Sequence, residues 1–413
     1  MLQLLNSMTR RIESFQPRND RTVRMFTCGP SIYRRPHIGN YRTFTWEDLL
    51  QRYLEYQGYD VRRVINFTDV EDKSIEEAEA AGESVTELTD AVAARFMEEA
   101  VNLRIKLPEH IPRSSTSVEQ AAKLIEELVE KGYAYWHGGN VFFDPLKYEG
   151  FGRLFRLDMS SWPKEKRRFK RDTYPGQRWN RGDFILWHGY KEGDNVYWDT
   201  GIGRGRPAWN IQDPAMISMT LGYSLDIFCG GIDYMLRHND YNIAVMESLS
   251  GKELARYWLH GQHVLVGGRK MSKSLNNIIY PEDLLDQGFS WRHIRYYLLS
   301  KHYRRKLHLS LEKFRETARQ LDTALDMIME IKTVESDAST SDPAVTALLV
   351  SLTERFEGAM NNDLDTPSIF KELFGTIQRL HALYAAGRIG RREAAEMESR
   401  LRRMDSVLQF LYS

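Results

Sequence analysis

The chain has 413 residues, which predicts two or three domains, and its 57 basic and 57 acidic residues give a formal net charge of zero. Overall charge therefore predicts no nucleic-acid partner unless a local basic patch binds one, and no apolar run is long enough to span a membrane or act as a secretory signal. The two cysteines, Cys28 and Cys229, are too few for a disulfide framework and predict a cytoplasmic protein.

The first predicted elements form a strand–helix–strand unit. Residues 23–29 (VRMFTCG) are apolar and rich in β-forming side chains, and a Gly-Pro pair ends them. Apolar side chains then recur at helical spacing over residues 46–54, and Gly58 ends the predicted helix. A second predicted strand covers residues 60–68. This order is typical of a βαβ unit in a parallel sheet.

The rest of the chain changes character several times. Helical spacing covers residues 84–131, whereas residues 132–207 mix turn residues, aromatic rings and charges, which predicts a small insertion domain that is partly β. A second helix-and-strand region covers residues 209–266. Residues from 281 onward are almost wholly helical, with a polar linker at 334–343. The predicted fold class is α/β: a Rossmann-like parallel-sheet core split by an insertion and followed by an α-helical bundle domain.

The first motif is PHIGN, residues 36–40, at the predicted junction between the first strand and its helix. A helix N-terminus offers free amide groups and the positive end of the helix dipole, so it favours a phosphate. Gly39 would let a ligand approach the backbone, and His37 and Asn40 supply donors. Taken alone, five such residues are better interpreted as an ordinary capped helix with a packed histidine.

The second motif is KMSKS, residues 270–274, flanked by glycines and polar residues. Two lysines in a flexible turn, Lys270 and Lys273, can fold over a triphosphate and stabilise the charge that develops as a carboxylate attacks the α-phosphate. The glycines are typical of a loop that closes during reaction and opens for release. The competing interpretation is a solvated basic surface loop.

Together these motifs resemble those of the cysteinyl-tRNA synthetase family, within the class I aminoacyl-tRNA synthetases. The resemblance extends to CGPSIYRRPHIGNYRT, NFTDVEDK, RGDFILWH, YWDTGIGRGRPAWNIQDPAM, DIFCGGIDYMLRHNDYNIAVMES and AMNNDLDTP, and so covers nearly the whole chain. It implies an ATP-dependent ligase that forms an aminoacyl adenylate, with Mg²⁺ on the phosphates.

The resemblance assigns roles to individual positions. The residues implied in catalysis are His37, Asn40, Lys270 and Lys273. The residues implied in ATP binding are Gly39, Gly231, Asp233, Ser272 and Ser274, with Asp233 on the ribose. The residues implied in amino-acid binding are Cys28, Thr68, Trp209, Asp213, His238 and Asn242, and Asp69 is also implied to line the site.

The chain departs from the family at the zinc site, where two cysteines, a histidine and a glutamate hold the metal that binds a substrate thiolate. Cys28 and His238 match two of these ligands, but Asp213 replaces the second cysteine and Asn242 replaces the glutamate. One interpretation is that the metal is lost and that Asp213, a buried carboxylate, binds a cationic or hydroxyl group of a different amino acid. The other is that Cys28, His238 and Asp213 still hold zinc. The weak ligand Asn242 favours the first.

A second departure concerns the acceptor of the activated amino acid. The sequence ends where the family's helical domain ends, without an anticodon-binding domain, a layout shared by a mycothiol-pathway relative that joins cysteine to an amino sugar. This layout and the altered pocket favour a small amine or a carrier protein as the acceptor of the aminoacyl group. The alternative acceptor is tRNA. A basic segment, KEKRRFKR (residues 164–171, with Phe169 and Trp162 nearby), fits either an acceptor-stem contact or a solvated loop.

The predicted domains follow from these assignments. A split catalytic core covers residues 1–110 and 205–280, and an insertion covers residues 111–204. A helical stem-contact region covers residues 281–335, and a C-terminal helical domain covers residues 336–413. A further alternative for function is a catalytically silent paralogue that senses an amino acid.

Overall fold

A computed structural model of the protein describes residues 1–158, 160, 182–335 and 342–412, and describes only the backbone of Arg237 and Lys273. The basic segment at residues 164–171 and most of the predicted linker at 334–343 lie outside these ranges.

A four-stranded parallel sheet forms the centre of the fold, preceded by a hairpin of β1 (Gln3–Asn6) and β2 (Arg11–Ser14). The order of its strands is β11–β10–β3–β4. Their bounds are β3 (Thr22–Thr27), β4 (Asp60–Ile65), β10 (Leu225–Gly231) and β11 (Ala255–Gly261). The strands come from two parts of the chain, and β3 and β10 pair directly through Ile227 and Met25. The predicted split parallel core is confirmed.

The first βαβ unit forms as its sequence pattern predicts. Helix α1 (Ile38–Tyr56) joins β3 to β4 and ends just before Gly58, whose φ of +91° suits glycine. Apolar residues recur every three or four positions along α1 and therefore form one face of the helix, which is buried against the sheet and the helical region. These residues are Trp46, Leu49, Leu50, Tyr53 and Leu54.

Several helices and a second sheet lie in the chain between the two halves of the parallel sheet. The helices are α2 (Asp72–Ala81), α3 (Val85–Asn102) and α4 (Val118–Glu130). The strands β5 (Ala134–His137), β6 (Asn140–Phe143), β7 (Phe184–Gly189), β8 (Trp198–Thr200) and β9 (Gly203–Pro207) form an antiparallel sheet in the order β5–β6–β7–β9–β8. Strand β9 crosses the predicted boundary at residue 204, and α2 was not predicted.

The second half of the core contains α5 (Trp209–Thr220) before β10 and α6 (Tyr241–Ser250) after it. A 3₁₀ turn (Ile232–Tyr234) and a π-helical turn (Met235–Asp240) connect β10 to α6. Helices α4, α5 and α6 share one buried apolar cluster with the antiparallel sheet, so the inserted segment packs on the core.

The described residues after β11 are mainly helical, with a few short strands. A small sheet contains β12 (Val264–Val266), β13 (Arg269–Lys270) and β14 (Leu307–Leu309). The helices are α7 (Pro281–Leu285), α8 (Trp291–Leu299), α9 (Leu311–Lys332), α10 (Pro343–Asn361), α11 (Thr366–Ala385) and α12 (Arg391–Leu408). One buried cluster joins α8–α12 to β1, β3, β10, β11 and α1, so the helical bundle packs directly on the parallel sheet. Within the described ranges, no helix is long and apolar enough to cross a membrane.

Candidate functional site

The candidate site lies at the carboxyl edge of the parallel sheet, where β3 and β10 are neighbours. The chain leaves β3 through α1 towards β4 on one side, whereas β10 is followed by β11 on the other side. Connections that diverge in this way leave a crevice outside the strand ends, which is where ligands of parallel α/β sheets bind. The segments that the sequence singled out follow β3, β4 and β10 and meet at this edge.

His37 is the N-cap of α1, and the start of the helix fixes its ring. Its Nδ1 accepts a hydrogen bond from the Gly39 N–H at 3.1 Å, and Asn40 Oδ1 accepts one from the His37 N–H at 3.0 Å. Because Nδ1 is an acceptor here, Nε2 carries the hydrogen of the neutral ring. Burial, together with the nearby charge of Lys270, lowers the pKa of His37. The ring is therefore a neutral donor through Nε2.

The helix start differs from the expectation of free amide groups. The Ile38 N–H donates to Ile279 O at 3.0 Å, the Gly39 N–H donates to His37, and the Asn40 N–H donates to His37 O at 2.9 Å. These three amides are engaged, which is the capped-helix arrangement. An anion at this point could instead meet side-chain donors, His37 Nε2 and Asn40 Nδ2, together with the positive end of the helix dipole.

The two separated motifs meet in the structure. A Cβ atom added to Gly39 would lie 3.0 Å from Met271 Cε, so the glycine lets the residues 270–274 pack on the start of α1. Met271 is buried in the same apolar cluster as Ile38. The hydrogen bond from Ile38 to Ile279 connects the same two segments. The start of α1 and the segment that carries KMSKS are therefore in contact.

Lys270 and Asp233 form a direct ion pair at the end of β10, with Lys270 Nζ donating to Asp233 Oδ2. Partial burial opposes ionisation of Asp233, but the hydrogen bond and charge of Lys270 lower its pKa below the ordinary value. A Cβ on Gly231 would lie 2.8 Å from Asp233 Oδ1, so glycine at this position leaves room for the carboxylate over the strand end. Asp233, which the resemblance implies in ribose binding, thus forms an ion pair with Lys270, which the resemblance implies in catalysis.

After the buried Met271, the KMSKS segment continues as a turn with its own hydrogen bonds. The Ser272 N–H donates to Asn277 Oδ1 at 2.8 Å, and the Ser272 and Ser274 hydroxyl oxygens lie 3.2 Å apart. The backbone of Lys273 begins a short 3₁₀ turn. Gly267 and Gly268, with φ of +58° and +75°, form the turn between β12 and β13 that carries Lys270.

The predicted amino-acid pocket contains a buried carboxylate with polar neighbours. Asp213, on α5, is 6% exposed. Its Oδ1 accepts from Asn66 Nδ2 at 2.9 Å and its Oδ2 from Asn242 Nδ2 at 3.1 Å, while Cys28 Sγ lies 3.9 Å from Oδ2. Burial raises the pKa of Asp213 to about 6, although these hydrogen bonds act in the opposite direction. Burial and Asp213 also raise the pKa of the Cys28 thiol well above its ordinary value.

Aromatic rings line one side of this pocket. Trp209 lies one helical turn before Asp213 on α5, and its ring centroid is 4.5 Å from that of His238. The His238 ring makes an edge contact with Tyr234 at 4.6 Å. Both His238 and Tyr234 belong to the turns between β10 and α6, one of which is π-helical, a feature frequent at functional sites.

The pocket does not fit the zinc ion that the resemblance implies. Both oxygens of Asp213 already accept amide hydrogens, and the glutamate position holds Asn242, which is turned to donate to Asp213. Among the described residues, no group of three or more His, Cys, Asp or Glu side chains is arranged to hold a metal. A thiol, a histidine and an aspartate engaged elsewhere do not form a closed zinc shell.

Two further positions at the strand ends have different roles. Thr68 lies beside the chain that follows β3, because its carbonyl accepts from the Ile32 N–H at 3.0 Å. Asp69 is buried and accepts from the Ser114 hydroxyl and the Ser115 N–H at 2.6 and 2.9 Å, so its carboxylate holds a turn. Asn66 was not singled out from the sequence, although a polar residue directly after a parallel strand is a signal for a site.

Comparison with known proteins gives consistent matches. The family model described as tRNA synthetases class I (C) catalytic domain matches residues 14–319. Among curated proteins, the cysteine–tRNA ligase of Chlamydia pneumoniae is 35% identical over 413 residues, covering 99% of this chain and 86% of the relative. The cysteine–tRNA ligase of Bacillus cereus is 36% identical over 376 residues, covering 90% of this chain and 80% of the relative.

Solved structures share the fold at low sequence identity. A Mycobacterium tuberculosis methionyl-tRNA synthetase in complex with methionyl-adenylate superposes with a TM-score of 0.66 at 15% identity, covering 95% of this chain and 90% of that one. A leucyl-tRNA synthetase ternary complex from Agrobacterium radiobacter superposes with a TM-score of 0.67 at 12% identity, covering 96% and 85%. At these identities, the similarity concerns the fold.

Proposed function

Since this chain belongs to the cysteinyl-tRNA synthetase family of class I ligases, we propose that it activates an amino acid with ATP at the β3–β10 crevice and transfers the aminoacyl group to tRNA. The family membership makes it an ATP-dependent ligase. The proposal concerns the assignment of residues, the amino acid and the acceptor. The contact between the PHIGN and KMSKS segments is the observation that supports it.

The triphosphate would lie over the start of α1. His37 Nε2 and Asn40 Nδ2 supply neutral donors there. The other polar atom of each side chain, His37 Nδ1 and Asn40 Oδ1, already accepts a hydrogen bond within the helix cap. Gly39 keeps the Met271 segment close to these donors. Mg²⁺ would arrive on the phosphates, where it neutralises charge and needs few protein ligands.

Lys270 has two partners in this scheme. Without nucleotide it pairs with Asp233, whereas bound ribose hydroxyls would take over the carboxylate and leave the ammonium group for the phosphates. The amino-acid carboxylate then attacks the α-phosphorus, a new P–O bond forms, and the bond to pyrophosphate breaks. Lys270, with Lys273, Ser272 and Ser274 of the same loop, would stabilise the charge on the leaving pyrophosphate.

The second half-reaction transfers the aminoacyl group to an acceptor. An acceptor hydroxyl attacks the carbonyl carbon of the adenylate, and AMP leaves. The names of the relatives favour tRNA, which was the alternative in the sequence analysis, over the small amine or carrier protein favoured there. Aminoacylation of total tRNA, compared with transfer to hydroxylamine as a small amine, separates these acceptors.

The test of activation is ATP–pyrophosphate exchange with Lys270→Ala. We expect the exchange rate to fall by roughly 10²- to 10³-fold, because a donor to developing charge is lost. The melting temperature should change little, since Lys270 is half-exposed and its ion pair lies at the surface. Lys252→Ala is the control, because this exposed lysine precedes β11 at the opposite edge of the sheet. Unchanged exchange in Lys270→Ala would refute the assignment.

A further inference from the structure

The orientation of the Asn66 amide in the amino-acid pocket is fixed by the backbone. Asn66 Oδ1 accepts a hydrogen bond from the Gly29 N–H at 2.8 Å, so the opposite end of the amide, Nδ2, must face Asp213 Oδ1. Asn242 Nδ2 donates to the other carboxylate oxygen. Two amide groups therefore hold the Asp213 side chain as a hydrogen-bond acceptor on both oxygens.

Asp213 is a buried carboxylate whose described partners are all neutral. These partners are Asn66, Asn242 and the Cys28 thiol, and no lysine or arginine side chain that the structure describes forms an ion pair with Asp213. Amides satisfy the hydrogen-bonding capacity of a buried carboxylate only in part and do not neutralise its charge. A positive group supplied by the ligand would neutralise it.

The surroundings of Asp213 also favour a positive ligand group. Burial raises the pKa of Tyr234, and the acidic groups of Cys28, Asp233, Asp213 and Glu71 act in the same direction. Glu71 Oε1 is buried without a hydrogen-bond partner in the described structure. The rings of Trp209 and Tyr234 both contact the His238 ring in the same part of the site. A thiol or a hydroxyl would leave the charge of Asp213 uncompensated.

We infer that the amino-acid pocket selects a diamino acid, whose side-chain ammonium group pairs with Asp213 in the position where a metal-binding pocket would take a thiolate. This inference rests on the proposed activation reaction, since it names the amino acid that is activated. Asn66 and Asn242 are positioning residues in it, because they orient the carboxylate and leave recognition to Asp213.

The test is ATP–pyrophosphate exchange with the wild-type protein and matched series of amino acids. One series has side-chain amines of increasing length: 2,3-diaminopropionate, 2,4-diaminobutyrate, ornithine and lysine. The other has neutral counterparts: serine, cysteine and homoserine. We expect kcat/KM for the best diamino acid to exceed that of the best neutral acid by about 100-fold or more, since a site with a buried polar group rejects ligands that leave it unpaired.

Asp213→Asn tests which residue recognises the ammonium group. We expect this variant to lose the preference, so that the amine and hydroxyl acids of one length differ by less than about tenfold. Asp226→Asn is the matched control, because Asp226 is another buried carboxylate at the opposite end of β10 and accepts from the Arg18 and Arg24 N–H groups. It should keep the wild-type preference. If Asp213→Asn does not fold, the wild-type series still decides the question.

The possible results separate this inference from the proposed function. Best exchange with cysteine, serine or homoserine would overturn the inference and leave the proposed activation intact. Stoichiometric zinc in the purified protein, with exchange that a chelator abolishes, would also overturn it. Absence of exchange with every acid tested would refute the proposed function itself.

Discussion

Glu47 is a titratable group in the core, below the candidate site. It lies on α1, is fully buried, and its Oε2 is 3.5 Å from the guanidinium group of Arg63 on β4. Arg63 also donates to the Thr27 hydroxyl at 3.0 Å, so its charge is shared. Burial raises the pKa of Glu47 from 4.5 to about 8, and Arg63 offsets this only in part. Near neutral pH the folded protein therefore holds a proton on Glu47.

This protonation predicts how stability depends on pH. The folded pKa lies above the unfolded value, so unfolding releases a proton between pH 4.5 and about 8, and the free energy of unfolding falls as pH rises through this window. The contribution of Glu47 is bounded at about 1.4 kcal/mol per pH unit. Glu47→Gln cannot ionise, so we expect urea unfolding at pH 6, 7 and 8 to show a smaller decline for this variant. Parallel curves for the two proteins would contradict the assignment.

At the level of residues, the sequence identified most of the polar groups that meet at the crevice but not their contacts. His37, Asn40, Lys270, Asp233 and Asp213 were all singled out by motif. His37 and Asn40 cap α1 through the side-chain atoms that face the helix. Which atoms face the helix depends on the rotamers of these side chains, and a sequence pattern does not specify rotamers. Asn66 was missed because its link to Gly29 joins two strand ends that only the fold brings together.

Gly29 governs the contact between the ends of β3 and β4. A Cβ atom at this position would lie 1.6 Å from the backbone oxygen of Asn66. A backbone atom has no alternative rotamer, so any side chain at residue 29 must push the two chain segments apart. Asn66 donates to Asp213, and such a displacement would therefore reach the amino-acid pocket.

We expect Gly29→Ala to be destabilising by about 1–3 kcal/mol or more, the usual cost of overpacking, and to impair amino-acid activation. Gly358→Ala is the control, since this exposed glycine in α10 has open space around it and alanine should stabilise the helix by up to about 1 kcal/mol. Chemical denaturation and pyrophosphate exchange measure the two effects. A Gly29→Ala protein as stable and active as Gly358→Ala would show that the strand ends can separate freely.

At the level of elements, periodicity predicted the long helices and the central strands. Helix α1 and strands β3 and β4 form where apolar spacing indicated them. Helix α2 was missed because only Ser74 and Ala78 of it are buried, so it has no apolar period. Strands β12 and β14 have three residues each, which is too short for an alternating pattern, and tertiary pairing alone establishes them.

At the level of the whole molecule, Asp363 joins segments that are far apart in the sequence. Its Oδ1 accepts from the Leu5 N–H at 3.0 Å and from the Tyr303 hydroxyl at 2.6 Å, and its Oδ2 accepts from Arg304. Its own N–H donates to Gln3 O at 3.0 Å. The N-terminal hairpin, the chain after α8 and the α10–α11 turn therefore meet at one buried carboxylate. The sequence placed this residue in a family motif, but no local pattern indicated contacts across more than 300 positions.

Removing this carboxylate tests whether the helical bundle and the parallel sheet unfold together. We expect Asp363→Ala to be destabilising by about 3–5 kcal/mol, because it leaves the backbone amide of Leu5 and the Tyr303 hydroxyl without their acceptor and removes the partner of Arg304. The shared apolar cluster should keep the thermal transition single and shift it to a lower temperature. Asp365→Ala is the matched control, since the Asp365 side chain, within the described structure, bonds to Ser368 at the start of α11 and its loss should cost about 1 kcal/mol. Equal effects of the two variants would show that apolar packing couples the bundle and the sheet without the Asp363 contacts. Two separate transitions in the Asp363→Ala protein would show that the bundle and the sheet are not coupled.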